Sequence, residues 1–201
     1  MFPPSLFNNS SRAIVQADAP KEPLYLSTGF EDSSLAMFTS VYGDVTIQTS
    51  VHRGGSKALF ANGYSSVVLD VDHVRIMRIS FSWHTPFDAE AFLGSTSSMF
   101  YVTFGSYKVL ELFSGGLGPI KCFNGLNYVD LPGGAFYVDV SLWYDVVCTI
   151  NSISSTVSYT INGVDLGSIP IVINENDYIM QLDFGSDIYL DNLIIEELSP
   201  A

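Results

Sequence analysis

The sequence predicts an all-β protein built as an antiparallel β-sandwich, and three observations carry that expectation. Short apolar and β-branched runs alternate with turn signals at a spacing of roughly 8–12 residues, as in sandwiches and barrels. No segment sustains the period of about 3.6 residues that marks an amphipathic helix. Fourteen Phe and eleven Tyr favour a pleated, half-buried surface. At 201 residues the chain is of a size at which a sandwich forms a single domain, so one domain, residues 24–201, preceded by an arm is expected.

The elements follow in order. Residues 1–23 mix Pro, Ser, Asn and Ala without a strong period and end in the bracket Pro20-Lys21-Glu22-Pro23, which reads as an extended N-terminal arm. Phe2, Leu6, Phe7, Ile14 and Val15 are its apolar side chains, placed to dock on another protein subunit. Strands are then expected at Leu24–Phe30, Val45–Thr49, Ala58–Ala61, Ser66–Asp70 and Arg75–His84. In the last of these, near-perfect alternation puts Ile79, Phe81 and Trp83 on one face and Arg78, Ser80 and Ser82 on the other. Further strands are expected at Met99–Phe104, Lys108–Phe113, Ile120–Phe123, Tyr128–Leu131, Tyr144–Asn151, Thr156–Ile161, Ser168–Val172, Tyr178–Phe184 and Ile188–Leu198. Asn162-Gly163 supplies the two positive φ values of a type I′ hairpin turn. Trp83 and Trp143 are read as core, and the isolated Cys122 and Cys148 as buried free thiols.

The charge balance excludes some functions. Twenty-one acids against eight bases give a net charge of -13, so a phosphate backbone is repelled and neither nucleic acid nor an anionic membrane is expected as partner. No window of about 18 apolar residues is present to span a bilayer. Cations, neutral sugars and basic proteins remain.

Three stretches resemble a known superfamily. Gly29-Phe30-Glu31-Asp32 followed by Gly54-Gly55-Ser56-Lys57-Ala58-Leu59 is the first, and Trp143-Tyr144-Asp145 leading into Tyr159-Thr160-Ile161-Asn162-Gly163 the second. The third is Ile188-Tyr189-Leu190-Asp191-Asn192-Leu193. In order and spacing they are similar to the concanavalin A-like and laminin G-like jelly-roll sandwiches, which include carbohydrate-binding modules and viral surface proteins. The resemblance implies a jelly roll, and it implies a structural calcium ion held by Glu31, the carbonyls of Gly55 and Lys57, and Asp191.

Catalytic patterns are missing. The paired carboxylates of the superfamily's glycanases do not occur: Asp187 and Asp191 lie four apart without a third acid, and Asp88 and Glu90 sit beside Pro86 in an expected loop. His52, His73 and His84 have no partner at ligand or triad spacing. A non-enzyme is therefore expected. Low charge density, the arm and the start Met without an export signal predict first a structural component of a larger assembly, a virion capsid, decoration or tail protein assembled in the cytoplasm. The alternative is an extracellular carbohydrate-binding module or lectin, with Tyr64, Tyr101, Tyr107, Tyr128 and Tyr137 as candidates for stacking glycans.

Overall fold

The computed structural model of the chain describes residues 24–71, 75–84, 96–104, 107–115, 121–124, 126–137, 142–172, 179–184 and 187–199, with 24–25, 96–104, 107–115, 123 and 179 described as backbone. Among them are thirteen strands and no helix. They are β1 (Leu24–Thr28), β2 (Ser40–Gln48), β3 (Ala58–Asp70), β4 (Ile76–His84), β5 (Thr96–Phe104), β6 (Tyr107–Gly115), β7 (Lys121–Phe123), β8 (Tyr128–Asp130), β9 (Tyr144–Asn151), β10 (Thr156–Ile161), β11 (Val164–Pro170), β12 (Ile179–Phe184) and β13 (Ile188–Glu197). The residues 1–23 expected to form the arm lie outside this description.

The hydrogen-bonded path runs β11-β10-β9-β4-β13-β3-β12-β5-β6-β7-β8, with β1 on β13 and β2 on β3. Its midpoint, β3, serves two layers. Leu59–Ala61 pair with Leu190–Ile188 of β13, whereas Ser65–Asp70 pair with Phe184–Ile179 of β12. The change of partner falls at Asn62-Gly63-Tyr64, where Gly63 takes a φ of 62° that a glycine adopts without steric cost. β2 follows β3 through both halves. The chain is thus an antiparallel jelly-roll sandwich of the concanavalin A-like kind.

Alternation supplies the core. Tyr144, Val146, Cys148 and Ile150 of β9 and Val157, Tyr159 and Ile161 of β10 point inward, as do Ile79, Phe81 and Trp83 of β4. From the other layer come Val67, Leu69, Met180, Leu182 and Phe184. Burying side chains of this size contributes roughly 1.5–3 kcal/mol each, which makes this packing the main source of stability. Cys122 and Cys148 are both buried, and the two are not joined in a disulfide. Burial, and next the neighbouring Cys122, push the Cys148 thiol well above its ordinary pKa.

The boundaries of β9 and β10 agree with those expected from sequence, and Asn162 and Gly163 adopt φ of 51° and 78° as the hairpin requires. Three expectations are corrected. The two short strands Ala58–Ala61 and Ser66–Asp70 are one strand, bent and not interrupted. β11 begins at Val164, immediately after the two-residue turn, and takes up its irregularity as a bulge at Gly167, φ 85°. Trp143 is half-buried, its ring stacked on that of His84 at 5.4 Å, so only Trp83, 1% exposed, is a core tryptophan.

Candidate functional site

Directly opposed residues of antiparallel strands share a face. Across β2, β3 and β12 one such row reads Tyr42, Ser66, Asp183, and Tyr101 of β5 takes the next register position. The flanking residues Val67, Leu182 and Phe184 are buried between the layers, so this row belongs to the outer face. Tyr42, Tyr64, Ser65, Ser66, Asp183 and Phe184 line a cavity of about 140 Å3 there. Tyr42 and Tyr64 are its exposed walls, at 59% and 88% exposure, and Asp183 is its buried acid at 7%. The Gln181 amide donates to Asp183 Oδ1 at 2.6 Å and orients the carboxylate.

Local backbone chemistry places the two tyrosines. The register of β2 on β3 shifts between Tyr42 and Asp44, with Gly43 at φ 79°. A Cβ on Gly43 would lie 2.6 Å from Ser65 Oγ and 2.9 Å from the Tyr64 carbonyl oxygen, so the bulge rests directly on the bend of β3. That contact is stitched by hydrogen bonds. Asp44 N donates to Ser65 Oγ at 3.1 Å, Ser65 Oγ donates to the Asn62 carbonyl at 2.9 Å, and Asn62 Nδ2 donates to Asp44 Oδ2 at 3.1 Å. Gly63 N donates to Asp187 Oδ1 at 2.8 Å, tying the bend to the start of β13. Two bent strands locked together hold Tyr42 and Tyr64 over one acid.

A second constellation surrounds the 53–57 turn, where the superfamily resemblance implied calcium. The structure brings Glu31 and Asp191 to this turn, but the groups that meet them are amides. Asp191 Oδ2 accepts from Arg53 N and Gly54 N at 2.9 Å each, and Oδ1 accepts from Asn192 N at 2.7 Å. Glu31 Oε1 accepts from Ser56 N at 2.8 Å and Lys57 N at 3.1 Å, and Oε2 accepts from Ser56 Oγ at 2.7 Å. The Lys57 ammonium donates to the Glu31 carbonyl. Every carboxylate oxygen thus faces N–H or O–H donors, where calcium needs about six to eight oxygen ligands. So arranged, these residues do not fit a calcium ion. They form a hydrogen-bonded clasp, and no group of three or more His, Cys, Asp or Glu side chains suited to a metal occurs among the described residues. The Ser56 amide and then its hydroxyl hold the Glu31 pKa below its ordinary value. Beside the clasp, burial raises the Asp145 pKa, but hydrogen bonds from Arg53 and Ser82 outweigh it and the net direction is downward.

Of the aromatic candidates, Tyr64 lies in the cavity. Tyr101 and Tyr107 are placed by backbone register alone. Tyr128, on β8 at the end of the strand path, and Tyr137 are exposed but do not line the cavity. Asp88, Glu90 and His73 lie outside the described residues. The sequence reading missed Tyr42 and Asp183. Gly43, between Tyr42 and Asp44 in an otherwise alternating run, was the signal for a bulge that could have marked the first. On the other layer a row of rings, Phe60, Tyr189, His84 and Trp143, stands with neighbouring centroids 4.7, 5.8 and 5.4 Å apart. These rings turn their faces to one another, which uses the stacking surface a sugar would need.

No protein-family model matches the chain, and no curated protein does. Solved structures do. A sialidase superposes with a TM-score of 0.64 at 9% identity, over 87% of this chain and 18% of its own length. Domain 4 of AbnA, a GH43 extracellular arabinanase from Geobacillus stearothermophilus in complex with arabinotriose, gives 0.63 at 15% identity, over 88% of this chain and 94% of that domain. Cellulose induced protein, Cip1, gives 0.61 at 15% identity, over 88% of this chain and 100% of that one. TM-scores of 0.61–0.64 at identities this low establish a shared sandwich fold alone.

Proposed function

We propose that this chain is a non-catalytic carbohydrate-binding domain whose glycan site is the cavity of Tyr42, Tyr64, Ser66 and Asp183. The observation that carries this reading is a pair of exposed tyrosine rings set over an oriented, buried carboxylate. Sugars present an apolar ring face, which stacks on aromatics, and a rim of hydroxyls, which donate to a carboxylate. At about 140 Å3 the cavity is smaller than the roughly 300–1,000 Å3 of drug-sized pockets and suits one sugar unit of a chain. The fold neighbours support it in kind, since one of them is described with arabinotriose bound. Composition ranked a virion component first, but no described feature favours it over glycan binding.

The test is a glycan panel read by isothermal calorimetry. Tyr42→Ala and Tyr64→Ala should each weaken binding about 10-fold or more, as expected for loss of a stacking contact of roughly 1–3 kcal/mol, with an unchanged melting temperature. Full affinity in both variants would overturn the assignment.

A further inference from the structure

We infer that Asn62-Gly63 is a site of covalent self-modification, at which the Gly63 nitrogen attacks the Asn62 carboxamide and the conversion of Asn62 to aspartate or isoaspartate unlocks the bend that carries Tyr64. Glycine favours the attack because it sets no Cβ beside the nucleophilic nitrogen. Asn62 is exposed, and a Cβ on Gly63 would meet nothing within 4 Å, so the approach is open. Both ends of the connecting peptide meet groups that draw the proton from its nitrogen. Gly63 N donates to Asp187 Oδ1 at 2.8 Å, and the Asn62 carbonyl accepts from Ser65 Oγ at 2.9 Å. A carboxylate so placed is a base for the N–H, and a donor on the carbonyl stabilises the negative charge the peptide acquires. The N–H lies in the peptide plane and the nitrogen attacks perpendicular to it, so base and carboxamide do not compete for one position. In the reaction Gly63 N gives its proton to Asp187 and bonds to Asn62 Cγ, whose amino group leaves with that proton as ammonia. One water then opens the cyclic imide. Breaking the bond to Cγ gives aspartate, and breaking the bond to the backbone carbonyl gives isoaspartate. Neither oxidant nor cofactor is required.

The product is incompatible with the stitching of β2 to β3. Asn62 stands opposite Asp44 in the register, and its Nδ2 donates to Asp44 Oδ2 at 3.1 Å. Aspartate at position 62 replaces that donor with an acceptor and sets like charges directly opposite, which destabilises a strand pair. Isoaspartate lengthens the backbone at the bend and moves Ser65, whose hydroxyl joins Asp44 N to the Asn62 carbonyl. Either product loosens the bulge from the bend, and with it the relative placement of Tyr42 and Tyr64; the resulting loss of glycan affinity rests on the carbohydrate-binding reading, whereas the chemistry does not. Asn162-Gly163 is an internal control with the same dipeptide. There Asn162 Oδ1 accepts from Asp145 N at 2.8 Å, which holds the carboxamide on β9, and among the described residues no carboxylate accepts from Gly163 N.

The experiment incubates the full chain across mildly acidic to mildly alkaline pH and follows each Asn-Gly site by peptide mass mapping, with isoaspartate counted by enzymatic methylation. Asn62 should convert about 10-fold or more faster than Asn162 at neutral pH, and its rate should rise less steeply with pH, because Asp187 supplies the base that hydroxide supplies elsewhere. Asp187→Asn should bring Asn62 down to the rate and the steep pH profile of Asn162, and Gly63→Ala, which places a Cβ beside the nitrogen in open space, should suppress conversion in a chain that still folds. Asn162 converting as fast as Asn62 in the parent, a faster Asn62 in Asp187→Asn, or undiminished conversion in Gly63→Ala would each overturn the inference. Asn62→Asp should lower the melting temperature as the aged parent does, and both should bind glycan more weakly than the fresh chain. Complete conversion with an unchanged melting temperature would overturn the unlocking. If the fresh chain binds no glycan, the carbohydrate reading fails, while conversion and melting temperature still decide this one.

Discussion

At Gly43 and Gly63 the backbone takes the same left-handed conformation, φ 79° and 62°, but a Cβ would meet different surroundings. On Gly43 it would meet Ser65 Oγ at 2.6 Å and Ser65 Cα at 2.9 Å, and on Gly63 nothing within 4 Å. Left-handed backbone costs an L residue roughly 1–2 kcal/mol, and forcing a methyl into a filled contact costs roughly 1–3 kcal/mol more. Gly63→Ala should therefore destabilise by about 1–2 kcal/mol in chemical denaturation and leave ligand affinity nearly intact. Gly43→Ala should destabilise by about 2–4 kcal/mol and also weaken glycan binding, because β2 must move off β3 and carry Tyr42 with it. Equal effects of the two substitutions would show that the bulge does not position the site. The same bulge explains why Tyr64 was legible in the sequence and Tyr42 was not. A tyrosine following a glycine in a polar stretch reads as exposed, whereas the face of Tyr42 depends on a phase that a bulge resets, which periodicity cannot report. Asp183 sits in a strand of apolar residues whose outward face became visible only once its register against Ser66 was known.

The 53–57 turn clasps the segment after β1 to β13, and its chemistry fixes two expectations. Since Asp191 is fully buried and accepts from three backbone amides, Asp191→Asn should cost about 1–3 kcal/mol by leaving an amide without its acceptor. Chelator should leave the melting temperature of the parent unchanged. A fall on chelation, restored by calcium, would mean that the turn reorganises around a cation and that the clasp is the wrong description. The second expectation concerns acid. Glu31 and Asp145 both have pKa values lowered in the folded state, so each binds a proton more weakly folded than unfolded. The stability they contribute is present above their unfolded values, about 4, and is lost as pH falls through the lower folded ones. Melting temperature should decline below about pH 4, and Glu31→Gln should make that decline shallower. Here the sequence was informative about pairing and silent about contacts. The superfamily resemblance implied that Glu31, Gly55, Lys57 and Asp191 meet at one locus, but a resemblance in sequence cannot say whether carbonyls or amides face the acids. Likewise β9 and β10 were legible to the residue because they alternate without interruption, while the bend in β3 resembled a turn, Asn62-Gly63 being the same dipeptide that closes the hairpin at Asn162-Gly163.

Taken whole, the molecule is two layers whose core runs from Phe30 to Ile195, with Leu26 packed against its rim. β1 begins at Leu24 and pairs with Leu193–Glu196 of β13, and the cavity draws on residues from Tyr42 onward. Among the described residues, the core and the cavity lining draw on Leu26 and later positions. Deleting residues 1–20 should leave a cooperative melt shifted by less than about 4 °C, which for a chain of this size corresponds to about 1 kcal/mol or slightly more. Glycan affinity should be unchanged. The deletion also separates the two functions that composition suggested. Phe2, Leu6, Phe7, Ile14 and Val15 offer roughly 1.5–3 kcal/mol each if fully covered, and ordering some twenty residues costs roughly 1–2 kcal/mol apiece, so side-chain burial alone cannot fix such a segment on a partner. Strand addition to an exposed edge would have to contribute as well. If the arm docks on another subunit, the full chain should sediment as an oligomer and the truncated chain as a monomer that still binds glycan. If both sediment as monomers with equal affinity, residues 1–23 have no assembly role, and carbohydrate binding by a single sandwich accounts for the molecule by itself.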